Sequence, residues 1–258
     1  MGRKQRQPSN YAEATHGSPW WIVRYAHEQR ASVAVEMLRA GRPRTVLDWG
    51  TGDGRVLELL LDQPDPPELV LAYEPGEVMQ GLLAEAKARH PLGDRIAVFG
   101  TVAELEKFLD GAKIDVIACL GVLEHLPLAP RREFYEFAQR YVSPTGSVLI
   151  DVPVEIGPAV LLKEAARVVL KGRPREYSTR DLLRRTFGRT SRDPERFADD
   201  DSDHFLGWHR DFDHRHLIEE MEQSYTVVER RNTPLRFAPS WLFNQEVLFR
   251  ARPRSSAG

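Results

Sequence analysis

From Thr45 to Val154 the chain alternates five short apolar runs with four segments of helical periodicity. The runs are TVLDWG, ELVLAYEP, RIAVFG, KIDVIACLG and GSVLIDVPV; between them stand GRVLELLLD, GEVMQGLLAEAKARH, VAELEKFLD and RREFYEFAQRYV. Runs that stay apolar without alternating belong to strands covered on both faces, which means a parallel sheet with helices on either side. Right-handed crossovers then wind such a sheet doubly. A helix over 24–40 precedes the first strand, with Gly41 as its C′ residue and Pro43 beyond it.

Past residue 155 the rhythm changes. PAVLLKEAARVVLKG and STRDLLRRTFG read as helices, the second with Ser178 as N-cap. RTSRDPERFADDDSDHF is polar and turn-rich, DHRHLIEEMEQS is helical, and YTVVERRN and LFNQEVLFRARP close the chain as two strands. The expected fold is therefore α/β: a doubly wound, seven-stranded, mainly parallel sheet with a helical cap inserted between strands five and six. The expected segments are a tail and lid at 1–23, a core at 24–154, the cap at 155–215, a closing helix and two strands at 216–252, and a tail at 253–258.

Charge narrows the function. The 258 residues carry 36 basic and 38 acidic side chains, a net charge of −2, so no global field draws nucleic acid or an anionic membrane. The single cysteine, Cys119, allows neither a disulfide framework nor a cysteine metal cluster, and its apolar strand suggests an inert buried thiol. The basic start lacks an apolar signal core, and no apolar run approaches the ~18 residues that span a bilayer. A cytoplasmic location is expected.

Chemistry concentrates in TVLDWGTGDG, residues 45–54. Glycines at 50, 52 and 54 permit a tight turn and close approach of a ligand to bare backbone, and the helix that follows offers free N–H groups. Asp48 puts a carboxylate at the same lip, which suits a ligand with an ammonium better than a pyrophosphate. Glu74 ends the second strand twenty residues past Gly54, where an acid accepts from ribose hydroxyls. Together they suggest a ribonucleoside joined to an amino acid. Trp49 points away from Asp48 and is expected to pack beneath the loop.

With these motifs the chain resembles the class I S-adenosylmethionine-dependent methyltransferases. LDWGTGDG is similar to the family's glycine loop, AYEP to its ribose-binding strand end, IDVIACLGVLEHL to its fourth-strand motif, and VSPTGSVLIDVPV to its fifth strand. The resemblance implies S-adenosyl-L-methionine as cofactor. It places Gly50, Thr51 and Gly52 along the methionine part and Asp48 near its ammonium. It gives Glu74 the ribose hydroxyls, Pro75 the adenine face, and Leu120 and Gly121 the neighbourhood of the sulfonium. The family often has an acid after the third strand for the adenine amine; here FGTVAEL offers Thr101, Val102 and backbone instead.

Methyl transfer is an in-line displacement, so the protein must chiefly align its reactants; a hydroxyl acceptor also calls for a base. His125, past the fourth strand, and His209, in the cap with Asp211 to orient it, are the candidates, although His125 could equally serve as a helix cap. His204, Asp211, Trp20 and Trp21 are expected to face the acceptor; for the two tryptophans, anchoring the amino-terminal segment is the rival role. The acidic, histidine-bearing stretch 199–216 reads as a solvated loop, so no metal is expected. Val160, Leu161, Leu162, Ala165, Val168 and Val169 read as core or as the contact of a homodimer.

The expected reaction is O-methylation of a small molecule or glycan precursor. A nicotinamide-dependent oxidoreductase and a non-catalytic S-adenosylmethionine-binding module are the alternatives. The Gly-x-Gly-x-Gly spacing and Asp48 speak against the first.

Overall fold

The structure is a computed structural model that describes residues 21–171, 177–190, 212–240, 242 and 244–254. Seven strands and flanking helices make the α/β sheet expected, and the chain divides into two compact units, Met1–Ala112 and Lys113–Gly258. The division falls within the segment 24–154 that was read as one core.

The first unit runs α1 (Trp21–Arg39), β1 (Thr45–Trp49), α2 (Arg55–Leu61), β2 (Leu69–Tyr73), α3 (Glu77–Arg89), β3 (Ile96–Phe99) and α4 (Val102–Leu109). Its strands are parallel in the order β3-β2-β1. The register pairs Trp49 with Tyr73 and Tyr73 with Phe99, so the three carboxyl-terminal tips stand level. Leu57, Leu61, Val70, Ala72, Leu83 and Ile96 form a buried cluster that fixes α2 and α3 to the strands. Leu57, Val70, Ala72 and Leu83 are fully removed from solvent, and burying such side chains is worth roughly 1.5–3 kcal/mol each for the larger ones.

The second unit holds β4 (Ile114–Leu120), α5 (Leu128–Tyr141), β5 (Val142–Pro153), α6 (Pro158–Lys171), α7 (Thr179–Thr186), α8 (His214–Met221), β6 (Tyr225–Thr233) and β7 (Glu246–Pro253). β4 and β5 are parallel; β7 is antiparallel to both β5 and β6. β6 is buried only at its ends, Tyr225 and Thr233, and carries Glu229, Arg230 and Arg231, a charged pattern that discourages edge-to-edge pairing. Ser178 caps α7, accepting from the Asp181 N–H at 3.1 Å. Cys119 is buried.

Two boundaries depart from the sequence reading, and the α6 stripe is only partly buried. α5 begins at Leu128 because Pro130 falls in its first turn, where a missing N–H costs nothing. The SPTG turn lies inside β5: Ile114 pairs with Val142 and Val116 with Ser147, so the intervening residues bulge. On α6, Val160 is buried while Leu161, Leu162, Val168 and Val169 are exposed, so the stripe is core at one end only. Among the described residues no helix is long and apolar enough to cross a membrane.

Two glycines test the local reasoning. At Gly54 φ is +80°, and a Cβ there would meet Leu83 Cδ1 at 2.6 Å; Gly81, inside α3, has nothing within 4 Å. Gly54→Ala is expected to lower stability by about 1–3 kcal/mol in urea titration, and Gly81→Ala to raise it by roughly 0.5–1 kcal/mol.

Candidate functional site

The glycine loop leaves β1 at Trp49 and turns back over β2. Gly50 and Thr51 donate their N–H groups to the Tyr73 carbonyl at 2.8 and 3.1 Å, and the Thr51 hydroxyl donates to the Asp48 carbonyl at 2.8 Å. Gly50 and Gly52 adopt φ of +77° and +63°, values that side chains disfavour. Around Gly52 the space where a Cβ would stand is open to 4 Å. Trp49 is buried with its ring against Tyr73, centroids 4.4 Å apart, so it packs under the loop.

Glu74 braces this loop. Its Oε2 accepts from the Gly52 N–H at 2.8 Å and its Oε1 from the Gly76 N–H at 2.9 Å. One carboxylate thus ties the turn after β1 to the turn after β2. The Gln80 amide donates to the Glu74 carbonyl at 2.8 Å, and the Glu74 N–H donates to the Phe99 carbonyl at 3.0 Å. Burial raises the Glu74 pKa, while the two N–H donors pull it back.

Asp48 is the electrostatic outlier. It is 3% exposed, and its Oδ1 has no hydrogen-bond partner among the described residues. Burial first, and then the Glu74 charge, push its pKa up to about 7, against a smaller opposing pull from Arg30. Among the described residues, the ionised form of this carboxylate is therefore only partly compensated. An ammonium would supply the rest.

At the tip of β3, Thr101 caps α4: its hydroxyl accepts from the Glu104 N–H at 3.2 Å. Glu104 answers by accepting from the Gly100 and Thr101 N–H groups, each at 3.1 Å, completing a capping box. Val102 is the first residue of that helix, and Pro75 follows Glu74 in the β2–α3 turn.

In the second unit, Leu120 ends β4 and Gly121 follows with φ of +70°, its N–H donating to the Asp151 carbonyl at 2.9 Å. His125 closes a short 3-10 turn, Leu123–His125, with its Nε2 3.8 Å from Oε1 of the buried Glu124. The N-cap of α5 is Pro127, which makes no side-chain cap bond.

The same unit contains a buried polar cluster. Glu155 accepts from the Tyr177 hydroxyl at 3.1 Å and from Lys163 Nζ at 3.0 Å. Arg185 donates to the Glu155 and Phe212 carbonyls and lies 4.7 Å over the Tyr177 ring. His214 is buried with its pKa lowered to about 4, mainly by desolvation, so it is neutral near pH 7. Sequence reasoning missed these residues, because nothing in their spacing shows that the chain folds them together. Of the acceptor candidates, Trp20, His204, His209 and Asp211 lie outside the described residues, and Trp21 is the first residue of α1.

The donor set fits an amino acid joined to a ribonucleoside: an uncompensated buried carboxylate, a bare glycine backbone beside it, and a second acid at the neighbouring strand tip. A family model described as a methyltransferase domain matches residues 24–222, most of the chain. The chain belongs to the class I S-adenosylmethionine-dependent methyltransferases. This methyltransferase shares its fold with the PH0226 protein of Pyrococcus horikoshii at TM-score 0.57 and 16% identity, over 95% of this chain and 96% of that one. The glycopeptide N-methyltransferase MtfA, solved with sinefungin, matches at TM-score 0.52 and 14% identity, over 88% and 94% of the two chains. Among curated proteins, the bifunctional purine biosynthesis protein PurH of Thermosynechococcus vestitus is 30% identical over 117 residues, 44% of this chain. The methyltransferase spans only 22% of that protein's length. Its cofactor is S-adenosyl-L-methionine, and the nicotinamide reading is set aside.

The buried acid has a sign-definite effect on stability. The folded pKa of Asp48, about 7, lies above its unfolded value near 3.8. Its stabilising contribution is full below ~4 and is lost as pH rises through 7. Asp48→Asn is expected to stabilise the ligand-free protein by about 1 kcal/mol or more at pH 8, with the gain shrinking toward pH 5. Urea titrations at the two pH values measure it, and a pH-independent difference would contradict the assignment.

Proposed function

We propose that this chain transfers a methyl group from S-adenosylmethionine to a hydroxyl of a small-molecule or glycan-precursor acceptor. The observation that carries the cofactor half is the buried Asp48 carboxylate, with an oxygen unpartnered among the described residues, on the strand next to the one that Glu74 follows. When bound, the cofactor supplies an electrophilic methyl on a sulfonium whose positive charge already activates the leaving group.

The chain's own residues then bind, orient and handle a proton. Asp48 holds the cofactor's ammonium, and charge-assisted bonds of this kind are worth about 1.5–3 kcal/mol. Gly50, Thr51 and Gly52 present backbone to the methionine part. Glu74 accepts from the ribose hydroxyls, and Pro75 packs beside the base. Leu120 and Gly121 are assigned to the sulfonium neighbourhood by resemblance to the family. His125 serves as general base, taking the acceptor's proton on its imidazole; the adjacent Glu124 carboxylate favours the imidazolium that results. His209, oriented by Asp211, is the rival base, with Trp20, Trp21 and His204 as acceptor contacts.

Binding and chemistry separate by mutation. Glu74→Ala is expected to raise the Kd for S-adenosylhomocysteine at least about tenfold in calorimetry. His125→Ala should leave that Kd unchanged while methyl transfer to a hydroxyl acceptor falls ~10²–10⁴-fold. Full turnover in His125→Ala would move the base to His209.

A further inference from the structure

The connection between β6 and β7 is a braced turn with an apolar and basic tip. The Ala238 N–H donates to the Leu235 carbonyl at 3.1 Å, so Arg236 and Phe237 stand at the apex. Asn244 is fully buried and clamps the turn from below. Its Oδ1 accepts from the Leu235 N–H at 2.8 Å, and its Nδ2 donates to the Ala238 and Pro239 carbonyls, each at 3.0 Å. The Asn232 amide donates to the Ala238 carbonyl at 2.9 Å, and the Gln245 N–H to the Thr233 carbonyl at 2.8 Å. Phe237 is thereby held fully exposed, with Leu235 and Arg236 exposed beside it. Single apolar residues on a surface are common. An aromatic ring kept in water by a clamped turn is a different case, because a loop free to relax would fold the ring back onto apolar surface.

Charge and position give the tip a direction. From Arg230 to Gln245 the sequence holds three arginines, Arg230, Arg231 and Arg236, and no acid. Of the flanking acids, Glu229 is shared between Arg231 and Arg250, and Glu246 stands at the base of the turn. The register sets Thr233 against Glu246 and Glu246 against Pro153, the end of β5. Asp151, two residues earlier on β5, pairs with Leu120, the end of β4. The turn therefore leaves the sheet at the same edge as the loop that carries His125.

Shape selects the partner. Small molecules bind in concave sites that cover most of their surface, and an apex cannot do so. A stable protein interface needs roughly 800 Å² from each partner, more than the apex of a turn presents. A bilayer accepts a convex apolar tip among its headgroups, and anionic lipids favour arginines around it. We propose that the β6–β7 turn is a membrane-docking tip that seats the carboxyl edge of β4 and β5 against an anionic bilayer surface. Phe237 and Leu235 enter the headgroup region, and Arg230 and Arg236 meet the lipid phosphates. The chain's net charge of −2 confines the attraction to this tip, and a single turn gives reversible docking, short of permanent anchoring.

Co-sedimentation of the full chain with vesicles tests this. The wild type is expected to bind vesicles of equal parts phosphatidylglycerol and phosphatidylcholine at least about tenfold better than phosphatidylcholine alone, since each arginine near an anionic surface contributes about fivefold. Added salt should weaken that binding. Phe237→Ser and Arg236→Glu should each lower it about fivefold or more, and Phe237→Trp should retain it. Phe187→Ser, which removes an exposed ring on α7, should leave it unchanged. The same variants should bind S-adenosylhomocysteine as the wild type does, so docking and the cofactor site are read separately. A wild type that ignores anionic vesicles would overturn the proposal, and so would undiminished binding of Phe237→Ser. A dimer that Phe237→Ser dissolves, in the absence of vesicle binding, would also overturn it and give the turn to a second copy.

Discussion

A carboxylate kept out of water with little compensating charge is expensive, and Asp48, opposed only in part by Arg30 among the described residues, is such a group. Its Oδ1 is unpartnered and its pKa is pushed up to about 7. The loop around it is built to keep it there. Gly50 and Thr51 hang from the Tyr73 carbonyl, the Thr51 hydroxyl closes on the Asp48 carbonyl, and Glu74 pins Gly52. Proteins tolerate such a cost where a ligand repays it. On the proposed reading, a methyl donor bearing an ammonium would supply the missing charge.

Glu74 carries two burdens in this arrangement. It is the acid expected at the ribose, and it is also the strut between the turns after β1 and β2. Its own pKa is raised by burial, and its charge in turn helps to raise that of Asp48. The site therefore couples charge, loop shape and occupancy through two side chains.

Much of this was legible in the sequence because it depends on local pattern. Continuous apolar runs marked the parallel strands, and the glycine spacing with Asp48 and Glu74 marked the loop that Glu74 braces. Trp49 followed from strand alternation alone. What escaped depends on contacts distant in sequence or on a second role for a turn residue. Glu104 reads as an ordinary residue of an exposed helix until its carboxylate is seen on the Gly100 and Thr101 N–H groups. Glu155, Tyr177 and Arg185 are scattered over thirty residues and meet only after folding. Pro130 and the SPTG bulge moved element ends because proline and glycine permit first turns and bulges as readily as they terminate elements.

The central claim is that the Asp48 carboxylate is completed by the cofactor's ammonium. Proton exchange on binding measures it most directly, by titrating S-adenosylhomocysteine calorimetrically in buffers of different ionisation enthalpy. With a ligand-free pKa of about 7, binding should release roughly half a proton at pH 7 and close to one at pH 6, and Asp48→Asn should abolish the release. Binding with no proton released at either pH would contradict the account.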